Sequence, residues 1–75
     1  MSEVREVPIR GEVIRLGELL KLAGVVGTGG EAKALLASAP VTVNGEPEAR
    51  RGRQLGDGDA VVVGGEELRV RASAA

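Results

Sequence analysis

The spacing of apolar residues in the first third of the chain predicts a short helix over residues 16–23, with a start as early as Ile14. Apolar side chains recur there at intervals of three and four, which places them on one face of a helix. Arg15, Glu18 and Lys21 occupy every third position and therefore share the polar side. The pattern indicates an amphipathic helix that presents mixed charges to solvent.

A second helix is predicted to begin at Gly29. Thr28 followed by Glu31 fits a capping box, in which two side chains satisfy free N–H groups at a helix start. Gly29 and Gly30 fall in the first turn of this helix. The apolar spacing of three and four then continues through Ala32, Leu35, Leu36 and Ala39. Pro40 ends the helix, because the residue before a proline avoids the α region.

Alternation of apolar and polar residues with a period of two predicts strands on both sides of the helices. Residues 41–43 run into Asn44 and Gly45, a strong hairpin signal. Further strands are predicted at residues 3–9, at residues 60–63 and around Leu68 and Val70. Pro8 lacks a backbone N–H, so the first strand is expected at the edge of the sheet.

These elements together predict an α+β fold, with two helices packed on a small, mainly antiparallel sheet with hairpins. The 75 residues fit one domain over residues 1–75, with a core from about 13 to 71 and a flexible tail at 72–75. A domain of this size buries only about 60% of the surface that its unfolded chain exposes. Since the chain has no Phe, Tyr or Trp, Val, Leu, Ile and Ala have to fill its core.

The composition excludes most kinds of chemistry. The chain has no cysteine and no histidine, which removes thiolate nucleophiles and the commonest general base and metal ligand. No carboxylate pair has a distinctive spacing, so we expect no catalytic site, no metal site and no cofactor. Without aromatic rings the chain cannot stack nucleobases. Contact with nucleic acid would therefore rest on Arg and Lys at phosphates and on shape.

The sequence carries no sign of export or of a membrane span. The opening segment MSEVREVPIR lacks the apolar run of a secretory signal. No segment approaches the roughly 20 apolar residues that cross a bilayer. We therefore expect a cytoplasmic, monomeric protein without a membrane partner.

The most informative polar feature is a cluster of three arginines within four positions, Arg50, Arg51 and Arg53. The net charge of the chain is −1, so this cluster is a local concentration of positive charge on a nearly balanced chain. Guanidinium groups bind phosphates in a bidentate way, so a phosphate-binding site is one interpretation of the cluster. The alternative is a solvated turn in which the arginines pair with Glu46 and Glu48.

Two longer runs carry a resemblance to a known family. The run IRLGELLKLAGVVGTGGEAKALL begins at Ile14, and the run VTVNGEPEARRGRQLGDGDAVVV begins at Val41. Together they resemble the RNA-binding domain named after ribosomal protein S-four (the alpha-L motif family), and in particular its stand-alone bacterial members. The resemblance covers roughly residues 13–63 and is most specific in the segments LGELLKLAG, GGEAK, VNGE and RRGRQL.

The resemblance implies a non-catalytic module that binds structured RNA, of the ribosomal or transfer RNA class, through a surface formed by the helix pair and the adjoining hairpin. The residues at the matching positions are Lys21, Lys33, Arg50, Arg51 and Arg53, with Arg15 as a further member. Where many relatives carry a Ser-Arg pair at the start of the second helix, this chain has Gly29 and Gly30, so a cation is absent there.

Gly29 and Gly30 are a second candidate phosphate site. A helix N-terminus offers free N–H groups and the positive end of a dipole, and glycines let a nucleic-acid backbone come close. The alternative is a simple capping turn, because Glu31 places a negative charge in the same turn.

Two further alternatives remain open from the residues alone. The VTVNGEP start and the LGDGDAVVV end are also similar to ubiquitin-like sulfur-carrier proteins, although Gly64 and Gly65 lie inside this chain, where a carrier ends in Gly-Gly. A protein-interaction module that docks on a ribosome or an RNA enzyme could use the same cationic surface. Asp57 and Asp59 are interpreted as turn residues, because Ca²⁺ takes six to eight oxygen ligands.

Overall fold

Two helices lie against one face of a five-stranded sheet, and a separate two-stranded ladder flanks them. The computed structural model describes residues 3–72. The elements are β1 (Val4–Ile9), β2 (Val13–Arg15), α1 (Leu16–Leu22), α2 (Gly29–Ser38), β3 (Val41–Val43), β4 (Glu46–Pro47), β5 (Gln54–Gly56), β6 (Ala60–Val63) and β7 (Glu66–Ala72). The predicted α+β class, with two helices on a mainly antiparallel sheet, is confirmed. Within residues 3–72, neither helix has the length and apolar character that crossing a bilayer takes.

The strand order of the main sheet is β1-β7-β6-β3-β4. Neighbouring strands are antiparallel except for β1 and β7, which run parallel and align Val7 with Val70. β1 is an edge strand, as Pro8 predicted. The ladder of β2 and β5 is antiparallel and pairs Ile14 with Leu55. Neither this ladder nor the parallel pairing followed from the sequence pattern.

The core lies between the helices and the inner face of the sheet. α1 contributes Leu16, Leu19 and Leu20, which are fully buried. The strands contribute alternate residues, as a half-buried sheet requires: Val7, Ile9, Val41, Val43, Leu55, Val61, Val63, Leu68 and Val70. Because Val7 and Ile9 are buried, the core begins ahead of residue 13, where the sequence pattern had placed its start.

The helices follow their predicted bounds closely, with one correction. α1 begins at Leu16, and an earlier start at Ile14 was wrong, because Ile14 is held in the ladder with β5. α2 begins after Thr28, whose hydroxyl accepts a hydrogen bond from the Glu31 N–H at 3.1 Å. The predicted cap of α2 is therefore confirmed.

The chain end requires a second correction. Ala72 was assigned to a flexible tail, but it ends β7 and is aligned with Ile9 of β1. Its N–H also donates to the Asp57 carboxylate at 2.8 Å. The rest of the predicted tail, residues 73–75, lies outside the described residues.

The predicted hairpin turn after β3 is confirmed and is held by a distant loop. Asn44 and Gly45 have φ values of 52° and 85°, the left-handed conformations that a tight two-residue turn needs. The Asn44 amide donates to Asp59 at 3.1 Å and accepts from the Ala60 N–H at 2.9 Å. Asn44 therefore both adopts the turn conformation and joins the turn to the start of β6, through Asp59 and Ala60.

Candidate nucleic-acid interface

The loop that carries the arginines caps the first helix. We call residues 48–53 the arginine loop. α1 has no side-chain cap, since Arg15 stands at its N-cap position. The Leu16 and Gly17 N–H groups donate instead to the carbonyls of Arg53 and Arg51, at 2.8 and 2.9 Å. The first N–H groups of a helix need such partners, so backbone hydrogen bonds hold the arginine loop to α1.

Arg51 links both helices. Its side chain crosses α1 at Gly17, where a Cβ atom would lie 2.3 Å from the Arg51 Cγ. Its Nη1 then donates to the carbonyl of Gly29, the first residue of α2, at 3.2 Å. The absence of a side chain at residue 17 is therefore what lets this arginine lie across α1 and reach α2.

Four of the predicted site residues line one cavity of about 260 Å³, which we call the cation cavity. Its lining residues are Arg15, Gly17, Glu18, Lys21, Gly29, Arg51 and Gly52. Three cationic side chains face one carboxylate there, that of Glu18. The cavity lies where α1, the start of α2 and the arginine loop meet. Its charge and its position suit an anionic ligand that spans both helices.

Arg50 and Arg53 are paired with a carboxylate of their own loop. Glu48 accepts from the Arg50 Nε and Nη2, both at 3.1 Å, and from the Arg53 Nη1 at 3.0 Å. The Glu48 side chain is only 9% exposed, against 76% for Arg50 and 35% for Arg53. These hydrogen bonds lower the pKa of Glu48 from its usual 4.5 to about 2, and the same carboxylate raises the pKa of Arg50.

The predicted cluster of arginines thus divides into two groups. Arg51 faces the cation cavity, whereas Arg50 and Arg53 share Glu48. The pairing with Glu48 is the one that the solvated-turn alternative anticipated. Within residues 3–72, Glu46 has no ion pair or side-chain hydrogen bond to these arginines. Arg50 remains largely exposed, so its guanidinium still has edges that are open to a phosphate.

Lys33 and Gly30 lie beside the cavity rather than in its lining. Lys33 is exposed and follows Gly29 by four residues on α2, so the two positions share one helix face. Helical side chains lean toward the N-terminus of their helix, so we expect the Lys33 side chain on the side of α2 that carries Gly29. Gly30 is exposed in the first turn of α2.

Three residues that line the cavity were not singled out as site residues from the sequence: Gly17, Glu18 and Gly52. Gly17 makes room for Arg51, and Glu18 adds a carboxylate to the cavity lining. The sequence carried one signal for Gly17: it lies inside a predicted helix. Glycine destabilises a helix interior, so its presence there usually reflects a close contact at that position. No comparable signal marked Glu18, because an acidic residue on a polar helix face is usually only solvated.

Several other cations and carboxylates pair on the outer face of the sheet or hold turns. Arg71 pairs with Glu6 at 2.6 Å and Arg69 pairs with Glu67 at 2.8 Å, both on the outer face of the sheet. Asp59 accepts from the Gly56 N–H at 2.8 Å, so the interpretation of the Gly-Asp-Gly-Asp segment as turn chemistry is confirmed. Within residues 3–72, no group of three or more potential metal-ligating side chains comes together.

The glycine pair that suggested a sulfur carrier forms a hairpin turn. Gly64 and Gly65 connect β6 to β7 with φ values of 58° and 79°. Both residues therefore form the turn between two paired strands. They supply no free carboxylate that an activating enzyme could use.

Comparisons with known proteins give one family match and one relative. Residues 7–71 match the family described as S4 domain. The chain is 49% identical over 59 residues to a Bacillus subtilis (strain 168) protein named "Probable ribosome maturation protein RlbA". That alignment covers 79% of this chain and 83% of the relative. The matched range contains both helices, the arginine loop and every residue of the cation cavity.

Proposed function

The chain belongs to the S4 domain family, and from this membership we propose that it is a non-catalytic module that binds structured RNA. The observation that carries the proposal is the position of Arg51. This side chain joins α1 to α2 and faces Arg15 and Lys21 across one cavity. A run of RNA phosphates along the two helices would meet three cations in succession.

The proposed contact surface extends beyond the cavity. Lys33 adds charge from the next turn of α2, and Arg50 and Arg53 add guanidinium edges that Glu48 leaves open. Gly29 and Gly30 let the RNA backbone come close to the start of α2. The ligand is recognised by phosphate contacts and shape, because the chain has no aromatic side chain on which bases could stack.

The distribution of charge supports this surface over the rest of the molecule. On the outer face of the sheet Arg69 and Arg71 are each matched by a carboxylate at 2.8 Å or less. In the cation cavity three cations face a single carboxylate. A phosphate backbone is therefore attracted to the helix side despite the net charge of −1.

Ribosomal RNA is the partner that we propose first, with transfer RNA as the second class. The support is the name of the relative, a probable ribosome maturation protein. Such a role would place this protein with ribosomes in the cytoplasm, acting as a monomer. A protein surface of the ribosome is the competing partner for the same cations, and binding to protein-free RNA separates the two.

The test is a titration of fluorescently labelled ribosomal RNA fragments by the protein over a range of salt concentrations. Four or five phosphate contacts give a slope of log affinity against log salt of about −3 to −4, with the single-strand coefficient. Arg51→Ala is expected to weaken binding and to reduce this slope by roughly 0.7 to 1.

Arg71→Ala is the matched control, because Arg71 is paired with Glu6 on the outer face of the sheet. It should leave both affinity and slope unchanged. An affinity that does not depend on salt, or equal effects of the two substitutions, would refute the proposed surface.

A further inference from the structure

A second cavity, of about 510 Å³, adjoins the cation cavity and is mainly apolar. Its apolar lining comes from β1, β2 and α1: Pro8, Ile9, Val13, Ile14 and Leu22. Val13 is 59% exposed and Leu22 is 55% exposed, although most large apolar side chains of the described chain are buried. We call this the apolar cavity. Exposed apolar side chains that gather in a concave site indicate a binding site.

The apolar cavity and the cation cavity share part of their lining. Glu18 and Lys21 line both of them. A third depression, of about 290 Å³, is lined by Val13, Ile14, Arg15, Glu18 and Gln54 and so shares residues with both cavities. Lys21 and Leu22 follow Glu18 on α1 by three and four positions, so both lie next to Glu18 on the helix surface, and this surface connects the cations with the apolar side chains.

Building on the proposed RNA binding, we propose that the apolar cavity receives one unpaired nucleobase whose phosphate is held in the cation cavity. RNA-binding proteins commonly read bases that are splayed out of loops and bulges. A flipped base is held by apolar side chains as well as by aromatic ones. The chain has no aromatic side chain, so aliphatic side chains would have to hold the base. Val13 and Leu22 are exposed in the apolar cavity and are placed to do so.

The size of the patch favours a base over a protein partner. A stable protein–protein interface buries more than about 1,000 Å² in total. Here the exposed apolar residues of the patch are Pro8, Val13 and Leu22, with Ile14 partly exposed, whereas such an interface takes roughly 20–30 residues a side. The cavity volume lies within the roughly 300–1,000 Å³ that is typical of small-ligand sites.

Glu18 determines which base is preferred. Within residues 3–72 its carboxylate makes no hydrogen bond or ion pair, so its oxygens are free to accept. A carboxylate accepts from the exocyclic amino group of cytosine, whereas uracil presents the O4 carbonyl, an acceptor, at the same position. The ring N3–H of uracil is a donor, but it lies between two carbonyl oxygens that repel a carboxylate. The cavity is therefore expected to favour an unpaired cytidine over a uridine.

The experiment compares three RNA hairpins that differ only in a single bulged nucleotide: a cytidine, a uridine or an abasic residue. The full chain should bind the cytidine bulge about tenfold more tightly than the abasic one and about fivefold more tightly than the uridine bulge. Leu22→Ser should remove the advantage over the abasic hairpin. Glu18→Ala should remove the advantage of cytidine over uridine.

Ratios of affinity are the readout, because loss of the Glu18 carboxylate raises the affinity of the cationic surface for every RNA. Val62→Ser is the control, since Val62 is 36% exposed and lies on the outer face of the sheet. It should preserve both ratios. Leu22 and Glu18 are both exposed, and thermal melting verifies that their variants fold.

Two other results would be decisive. If all three hairpins bind equally and binding still depends on salt and on Arg51, the nucleobase site is refuted and the proposed RNA binding stands. If no hairpin binds even at low salt, where phosphate contacts are strongest, both proposals fail.

Discussion

Glu48 determines which arginines of the arginine loop are paired with a carboxylate. It holds Arg50 and Arg53 with hydrogen bonds of 3.0 to 3.1 Å, whereas Arg51 has no carboxylate partner among residues 3–72. Its Oε1 also accepts from the N–H groups of Ala49 and Arg50. A single side chain thus shapes the loop and leaves Arg51 as the guanidinium free to meet an anion.

Glu48→Gln tests this pairing through the pH dependence of stability. The pKa of Glu48 is lowered to about 2 in the folded protein, so its contribution to stability is fully present above its unfolded pKa, near 4.5. The contribution is lost as the pH falls toward 2. The difference in free energy of unfolding between the wild type and Glu48→Gln should therefore be constant from pH 7 to 5 and should shrink between about pH 4.5 and 2.

Urea denaturation at a series of pH values measures this difference. Glu46→Gln is the neighbouring control, because Glu46 is exposed and has no ion pair within the described residues. The difference in free energy of unfolding between the wild type and Glu46→Gln should show no comparable decrease at low pH. A Glu48→Gln difference that does not change below pH 4.5 would contradict the pairing.

At the scale of elements, the arginine loop and α1 depend on each other. The loop carbonyls of Arg51 and Arg53 cap α1, and Gly17 gives the Arg51 side chain its path to α2. α1 has seven residues, too few to be stable by itself. Its stability therefore comes from these contacts and from its buried leucines, and the same contacts position the proposed phosphate-binding cations.

Gly17→Ala is predicted to impair RNA binding with little loss of stability. The new Cβ would lie 2.3 Å from the Arg51 Cγ and 3.1 Å from its Cδ, well inside carbon–carbon contact distance, so the arginine has to leave α1. Alanine favours a helix by about 1 kcal/mol over glycine, which offsets part of the cost. Affinity for RNA should fall about as far as in Arg51→Ala.

Gly56→Ala is the control outside the lining of the cation cavity. A Cβ there would come no closer than 3.5 Å, to the Glu12 carbonyl oxygen, which is an ordinary van der Waals contact, so RNA affinity should be retained. Fluorescence anisotropy gives the affinities and thermal melting gives the stabilities. If Gly17→Ala binds RNA as the wild type does, the path of Arg51 across α1 is not required for binding.

For the molecule as a whole, the sheet joins the two ends of the described chain into one core. β1 runs parallel to β7, and Glu6 pairs with Arg71 across 65 positions of sequence. Val7 and Ile9 are 4% and 5% exposed and belong to the same core cluster as the buried residues of both helices and of β3, β5, β6 and β7. The first strand is therefore an integral part of the core and of the surface that includes the apolar cavity.

Ile9→Ala is expected to destabilise the protein by about 2–4 kcal/mol, the usual cost of emptying a buried aliphatic position. Leu22→Ala is the control and should change stability by no more than about 0.5 kcal/mol, because Leu22 is 55% exposed. Urea denaturation measures both. A cost below about 1 kcal/mol for Ile9→Ala would mean that β1 does not belong to the cooperative core.

The sequence by itself determined the local elements of this protein. The Thr28 cap, the turn at Asn44 and Gly45, the alternation in β6 and β7 and the apolar stripes of the helices were all predictable. In each case the deciding contacts lie within a few residues. The cationic residues were equally evident in the sequence. The family motifs assigned Lys21 to the first helix, Lys33 to the second helix and the three arginines to a loop, as in the structure.

Tertiary structure decided what the local pattern cannot encode. Parallel pairing of β1 with β7 and the β2–β5 ladder join segments far apart in sequence, so no local period signals them. The grouping of Arg15, Lys21 and Arg51, the capture of Arg50 and Arg53 by Glu48, and the apolar cavity beside them have the same cause. Each depends on where the folded chain brings distant side chains together, because charges and apolar surfaces act through space.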